Sequence, residues 1–359
     1  LLYHRMHNKW PHLNFVGAIR VNSSFLQLYN AIRQQRSKMH QHHCFLLAIF
    51  LILVSIKSFM LDYSSPKTNI KRTIQRASFF QGFQKSPSSN KSPNAKDQIK
   101  LLEGNSWFCS LNGLKIFVDP VYDTLDFGIP ALYKADKKVL DNQTLLKELA
   151  EEGDVMIISQ GLADHCCPKT QATLCKTLSS DVPILAPPSA AAVLKKYYPE
   201  GRVTYLSPGD TIEVEVKGKT LKVTATTGAL VGPPWQAKEN GYILQSGNSP
   251  RVYYEPHCNY DPAELSAAGG ADVVVTPVVR QLLPVYGPLV DGMEAAARLT
   301  RLLGAKTVIP MMNGDLEAEG PLDDVITQEG SPEAFAALLA REGGGARLLA
   351  GAPGEPLAL

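Results

Sequence analysis

Histidine is scarce in most of this chain. Eight occur in 359 residues, and six of them (His4, His7, His12, His40, His42, His43) lie near the start. Beyond residue 100 only His165 and His257 remain. A metal site draws on three or four ligands, so any centre in that part has two imidazoles to use. Cysteine is equally unpatterned. The six (Cys44, Cys109, Cys166, Cys167, Cys175, Cys258) form no C-x-x-C pair and show no regular spacing, which excludes a disulfide framework and a zinc finger. Cys166 and Cys167 are adjacent, a poor geometry for bonding to each other. Reduced thiols in an intracellular compartment are the plain reading.

Long apolar runs are missing too. The stretch Cys44–Ile56 is apolar but ends at Lys57, short of the roughly 20 residues that a spanning helix needs. It resembles the h-region of a signal more than a membrane span. Acids are nearly absent from residues 1–100, which hold Asp62 and Asp97 against 15 Lys and Arg, a net of +13. Residues 101–359 hold the other 32 acids against 21 bases, a net of −11. Opposed charge in two parts points to a basic leader, 1–100, joined to an acidic domain, 101–359.

Residues 63–96 are rich in Ser, Lys and Arg and contain no acid. That is the composition of an organellar transit peptide, and it lacks the periodicity of a packed core. An apolar run followed by a basic Ser-rich stretch is the order of a plastid leader, so a chloroplast location is expected. The competing readings are a disordered tail or non-native upstream sequence. Residue 1 is Leu, Met6 and Met39 are candidate starts, and the residues alone do not establish that 1–38 are translated. A nucleic-acid-binding tail is disfavoured because aromatics are not interleaved with the bases.

From residue 101 short β-rich runs alternate with helical patterns. Residues 105–111 and 114–119 read as a hairpin turning at Asn112-Gly113. Helices are expected at 144–152 and 189–198, with Thr144 and Ser189 as N-caps, and at 169–178, 262–268, 292–303 and 332–341. Strands are expected at 155–159, 182–186, 203–206, 211–216, 221–226, 241–245, 251–254, 273–277 and 307–310. The alternation over 203–254 suggests half-buried antiparallel sheet. Two strand-rich halves, each closed by helices, predict an α/β fold: a four-layer αββα sandwich.

The candidate site lies in SQGLADHCCP, residues 159–168, where a strand ends against Asp164 and His165. An early hairpin closing on Asp119-Pro120, this loop, the segment 226–232, YYEPHC (253–258) and VIPMMNGD (308–315) come in an order that resembles the metallo-β-lactamase fold. LEGNSW (102–107), DFGIP (126–130), GPPWQ (232–236) and YYEPHC make the chain most similar to the lactonase-like plant and algal plastid branch. The family's signature loop is H-x-H-x-D-H. Here the resemblance puts Gln160 and Leu162 at the two histidines, while Asp164 and His165 match. Leu230 or a neighbour stands where the next His belongs, His257 at the bridging Asp, and Met312 at the last His. The resemblance therefore implies a degenerate centre, excludes a two-metal hydrolase, and leaves Asp164, His165 and His257 as a two-His, one-carboxylate set for one divalent ion.

Zn(II) or Fe(II) suits such a set; the competing reading is a hydrogen-bonded pair and no metal. Glu255, Cys166, Cys258 and Asp315 lie near site positions and could add a ligand, though each has a plainer structural reading. Trp235 could wall a pocket or simply cover the core, and Arg280 could meet an anionic substrate or simply be solvated. The function expected is a single-metal hydrolase of a lactone, ester or phosphodiester. The alternative is a non-catalytic family member that binds a ligand or protein. A redox or iron-linked role is a third reading, resting on the three ligands and nearby cysteines. The partner expected is a small molecule, with no nucleic acid and no stable membrane span; nothing in the residues sets an oligomeric state.

Overall fold

A computed structural model describes residues 97–359 apart from 128–129, 232–236 and 284–286. Readings that rest on 1–96, on Trp235 and its neighbours, on Gly128-Ile129 or on Pro284–Tyr286 lie outside the described residues.

Period-two alternation sets the layers. In the hairpin Trp107–Leu111/Leu114–Val118, Trp107, Cys109, Leu111, Leu114, Ile116 and Val118 pack into one core, while Phe108 and Phe117 pack into another. Both faces are therefore buried, as a sheet covered on both sides requires. The turn falls at Asn112 (φ 52°) and Gly113 (φ 75°), two left-handed residues that suit a two-residue hairpin loop.

Seven strands form the first sheet, in the order Leu357–Ala358, Gln98–Leu101, Trp107–Leu111, Leu114–Val118, Val155–Ile157, Ile184–Ala186 and Val203–Tyr205. Seven form the second: Arg347–Leu348, Thr307–Met311, Val273–Pro277, Val252–Tyr254, Asn240–Ser246, Lys219–Thr227 and Thr211–Val216. One core lies between the sheets, from Trp107, Ile116 and Ile157 to Tyr242, Tyr254 and Ile309. A second lies between the first sheet and helices Asn142–Glu152, Pro168–Thr177 and Ala191–Leu194. The third joins the second sheet to helices Pro262–Ala268, Glu294–Leu303 and Pro332–Glu342. Three apolar interfaces between four layers are the αββα sandwich that the pattern predicts. Among the described residues no helix is long and apolar enough to cross a membrane.

Some local expectations change. Asp141, not Thr144, caps its helix by accepting the Thr144 amide at 2.7 Å. Ser189 lies inside a short 3-10 turn, Pro188–Ala190, with only Ala191–Leu194 as α-helix after it. Its hydroxyl donates to Glu239 and accepts the Gly161 amide, so it does not turn to the amides that follow it. Val203–Tyr205 leaves the antiparallel group and lies parallel to Ile184–Ala186 at the edge of the first sheet. Thr211–Val216 alternates exposed and half-buried residues, whereas Val252–Tyr254 is buried throughout because a helix layer covers it. Gln98–Lys100, the end of the stretch assigned to the leader, forms the start of a strand paired with Trp107–Leu111.

The central layer carries the most buried side chains. Leu244 is 1% exposed there, whereas Val139 is 70% exposed at the surface. Leu244→Ala should lower unfolding free energy by about 2–5 kcal/mol, and Val139→Ala by less than about 0.5 kcal/mol. Urea midpoints of the two variants against the parent check this.

Candidate functional site

Parallel strands direct their C-terminal ends to one edge of the sandwich, the usual place for a site in such sheets. Leu114–Val118 delivers Asp119, and Val155–Ile157 delivers Ser159 and Gln160. Across the gap, Val252–Tyr254 delivers Glu255 and His257, and Thr307–Met311 delivers Met312 and Asn313. Trp107 from one sheet and Tyr254 from the other meet edge-on at 5.2 Å beneath them.

Asp119 is the hub. It is fully buried and has φ 46°, a conformation that non-glycine residues rarely adopt. Its Oδ1 accepts the Ser159 amide at 2.7 Å, and its Oδ2 accepts the Ser159 hydroxyl at 2.5 Å and the Tyr254 hydroxyl at 2.6 Å. His165 Nδ1 lies 2.8 Å from the same Oδ2, with the ring wholly buried. A carboxylate behind one imidazole nitrogen orients the ring and leaves the other nitrogen, Nε2, for the site. That nitrogen lies 3.3 Å from Asp164 Oδ2 and 2.9 Å from Asn105 Nδ2. Burial works against a charge on His165, but Asp164 and Asp119 outweigh it and push its pKa up to about 10. Burial likewise raises Asp164, and the neighbouring His165 more than offsets that, so its carboxyl lies below the usual carboxylate range.

The ring of His257 stands 5.7 Å from that of His165, centroid to centroid, tilted by 36°. Its Nδ1 is 3.7 Å from Glu255 Oε1 and has no hydrogen-bond partner. Glu255 is spent on backbone amides: Ala229 at 3.3 Å, His257 at 2.9 Å and Asn259 at 2.7 Å. Glu239, 3% exposed, accepts the Ser189 hydroxyl, whose oxygen takes the Gly161 amide at 3.1 Å. Burial, opposed by Ser189, His165 and His257, pushes Glu239 up to about 7. Gln160 is fully buried with neither amide atom hydrogen-bonded.

All three residues read from the sequence, Asp164, His165 and His257, therefore meet at one edge. Asn105, Asp119, Ser159, Glu239 and Asn313 were not singled out there as site residues. Asp119 had a signal, the Asp-Pro that closes the hairpin; Asn105, Ser159 and Asn313 lay in the family-like stretches as common polar residues, and Glu239 lay in none. Glu255, Cys166, Cys258 and Asp315 keep their plainer structural readings, and that of Arg280 changes. Glu255 is occupied by amides. The thiols of Cys166 and Cys258 are buried and raised by burial, the opposite of ligand thiolates. Asp315 is ion-paired with Lys138. Arg280 is neither free for an anion nor merely solvated, because Asp291 holds it at 2.9 Å and Glu329 at 3.4 Å.

The residue types, two imidazoles and a carboxylate, are those that hold divalent ions. Asp164 Oδ1 and His257 Nδ1 are buried and unpartnered in the cluster around His165, and a buried polar atom without a partner costs about 1–3 kcal/mol. Among the described residues, however, no three His, Cys, Asp or Glu side chains converge as a ready metal cluster.

Comparison with known proteins agrees with this fold. The family model described as Beta-lactamase superfamily domain matches residues 98–312, more than half of the chain, and the chain belongs to that family. Three solved structures are similar in fold. Igni18, a metallo hydrolase from Ignicoccus hospitalis, has 16% identity and a TM-score of 0.50 over 74% of this chain and 99% of its own. A possible metal-dependent hydrolase from Veillonella parvula has 14% identity and a TM-score of 0.53 over 74% and 100%. An isothiocyanate hydrolase from Delia radicum gut bacteria has 14% identity and a TM-score of 0.52 over 73% and 99%. No curated protein matches the chain.

Glu239 supplies a pH signature. It binds its proton more tightly in the folded chain than at its ordinary value of 4.5, so its contribution is full below that pH. Stability then falls as the pH rises towards about 7, by on the order of 3 kcal/mol. In Glu239→Gln this slope should vanish. Urea midpoints of parent and variant across that window read it directly; parallel curves would refute the raised carboxyl.

Proposed function

We propose that this is a hydrolase built on a single divalent ion, Zn or Fe, a reduced form of the metallo-β-lactamase centre that acts on a lactone, ester or phosphodiester. One observation carries the reading. Asp164 and His165 Nε2 converge at 3.3 Å with Asp119 fixed behind the imidazole, as a carboxylate–His pair supports a metal ligand. Asp164, His165 and His257 are the ligands. When bound, such an ion acts as a Lewis acid and makes a water nucleophilic near neutral pH.

The chain's own residues do the rest. Asp119 holds the His165 ring in one orientation through Nδ1. Glu239, a carboxyl kept near pH 7, holds or releases a proton in the range where general acid–base catalysis is most efficient. The positions of Gln160, Leu162 and Met312, where the family resemblance implies histidines, supply no imidazole for a second ion. The basic leader ahead of the strand Gln98–Leu101 is the plastid-targeting part of the chain, removed to leave the hydrolase domain. N-terminal sequencing of mature protein should find its start between roughly residue 60 and that strand, and an intact leader on protein from the soluble cytosol would refute the plastid assignment.

Elemental analysis of the purified chain tests the centre itself. Zn or Fe is expected at about one equivalent, lost in both His165→Ala and His257→Ala. Less than about a tenth of an equivalent in the parent would replace this reading with that of a ligand-binding family member. Metal-loaded protein is then screened on lactones, esters and phosphodiesters, with turnover expected to fall on chelation.

A further inference from the structure

Buried acids in this chain are met by several partners each, with one exception. Asp119 has Ser159, Tyr254 and His165. Glu103 takes the amides of Lys138, Val139 and Leu140, and Glu255 takes those of Ala229, His257 and Asn259. Asp154 has the Lys115 amide and the Lys217 ammonium. Glu239 is as buried as these, yet among the described residues its carboxyl receives the Ser189 hydroxyl alone and pairs with no lysine or arginine. Burying a carboxylate with so few donors is costly, and leaves it more basic than one that several donors share.

Ser189 is placed to use that base. It follows the strand Ile184–Ala186, which runs parallel to Val155–Ile157 and so ends at the same edge as Ser159 and Gln160. The residue is half-buried, open in part to solvent. Its hydroxyl hydrogen points to Glu239, and one lone pair takes the Gly161 amide at 3.1 Å, which leaves the other lone pair free. Gly161 lets the two loops touch: a Cβ there would stand 2.5 Å from the Ser189 carbonyl oxygen and 3.0 Å from the Ala190 nitrogen.

We propose that Ser189 is a second nucleophile of this chain, with Glu239 as its general base and an uncharged carboxylic ester as its acyl donor. This chemistry goes beyond the single-ion reading and needs no ion. Ser189 Oγ bonds to the ester carbonyl carbon while its proton passes to Glu239. The bond to the alcohol oxygen then breaks, and that oxygen takes the proton from Glu239 and leaves. Water releases the acyl group from Ser189 by the same two transfers, giving a carboxylic acid and the free serine. An anionic substrate would face the Glu239 carboxylate in its ionised, basic form, so the ester is neutral.

The test is 4-nitrophenyl acetate added to the full chain with a metal chelator present throughout. A burst of about one equivalent of nitrophenol is expected, with one acetyl group mapped to Ser189 by peptide mass spectrometry. Ser189→Ala should lose both burst and label. Glu239→Gln keeps an oxygen to accept the serine hydroxyl but removes the base, so acetylation of Ser189 should slow by at least about a hundredfold. A merely structural tie would leave that rate unchanged. No burst, an acetyl group found only on other residues, a parent-like burst in Ser189→Ala or a parent-like rate in Glu239→Gln each overturns the proposal and leaves the single-ion reading standing. Should Ser189→Ala fail to fold, the mapped position in the parent and the rate in Glu239→Gln decide.

Discussion

The Asp119 carboxylate is the constraint on which the rest of the site depends. Buried without a neighbouring lysine or arginine among its hydrogen-bond partners, it is held by donors from three segments: Ser159, Tyr254 and His165. A buried charge persists only when its lone pairs are met, and here meeting them joins the two sheets. Ser159 belongs to the strand end beside Asp119, Tyr254 comes from the opposite sheet, and His165 comes from the loop between. The left-handed backbone at Asp119 is strain that this network holds in place.

Around that hub the electrostatics divide into two sides. On one, His165 lies between Asp164 and Asp119, so positive charge is favoured at its ring whether a proton or a metal ion carries it. On the other, Glu239 is buried and leans towards its neutral form. Asp164 is thus held ionised while the Glu239 carboxyl leans neutral, an arrangement that separates charge-binding from proton-carrying roles.

The layers were legible in the sequence because they depend on period two and on turn chemistry. Asn112-Gly113 announced its hairpin, and the apolar runs at 155–159, 273–277 and 307–310 read as strands, short and rich in β-branched residues. Elements whose identity depends on distant partners were not legible. Gln98–Leu101 is a strand because Trp107–Leu111 and Leu357–Ala358 flank it, and the short strands Lys134–Asp136 and Glu317–Glu319 form by pairing across a long gap in sequence. In the site, Asp164, His165 and His257 could be named because imidazole is scarce and a family pattern marks the places. Asn105 and Glu239 could not: asparagine and glutamate are common, and only burial and an assembled neighbourhood set these two apart. The same limit misplaced Ser189 as a helix cap, since its Glu239 partner is 50 residues away.

The pairing of Leu357–Ala358 with Gln98–Ile99 bears on how the domain comes into being. As a ribosome feeds out the chain, the strand at Gln98–Leu101 gains its outer neighbour only from a segment that follows the helix Pro332–Glu342. Until then the first sheet keeps an open edge of unpaired amides and carbonyls, the kind of surface that recruits other strands. Leu357, buried against the central core, acts as a latch that closes once that segment is made. A nascent or truncated chain lacking those few residues therefore carries both the hydrophobic layer and an exposed edge, and is more prone to aggregation than the finished domain.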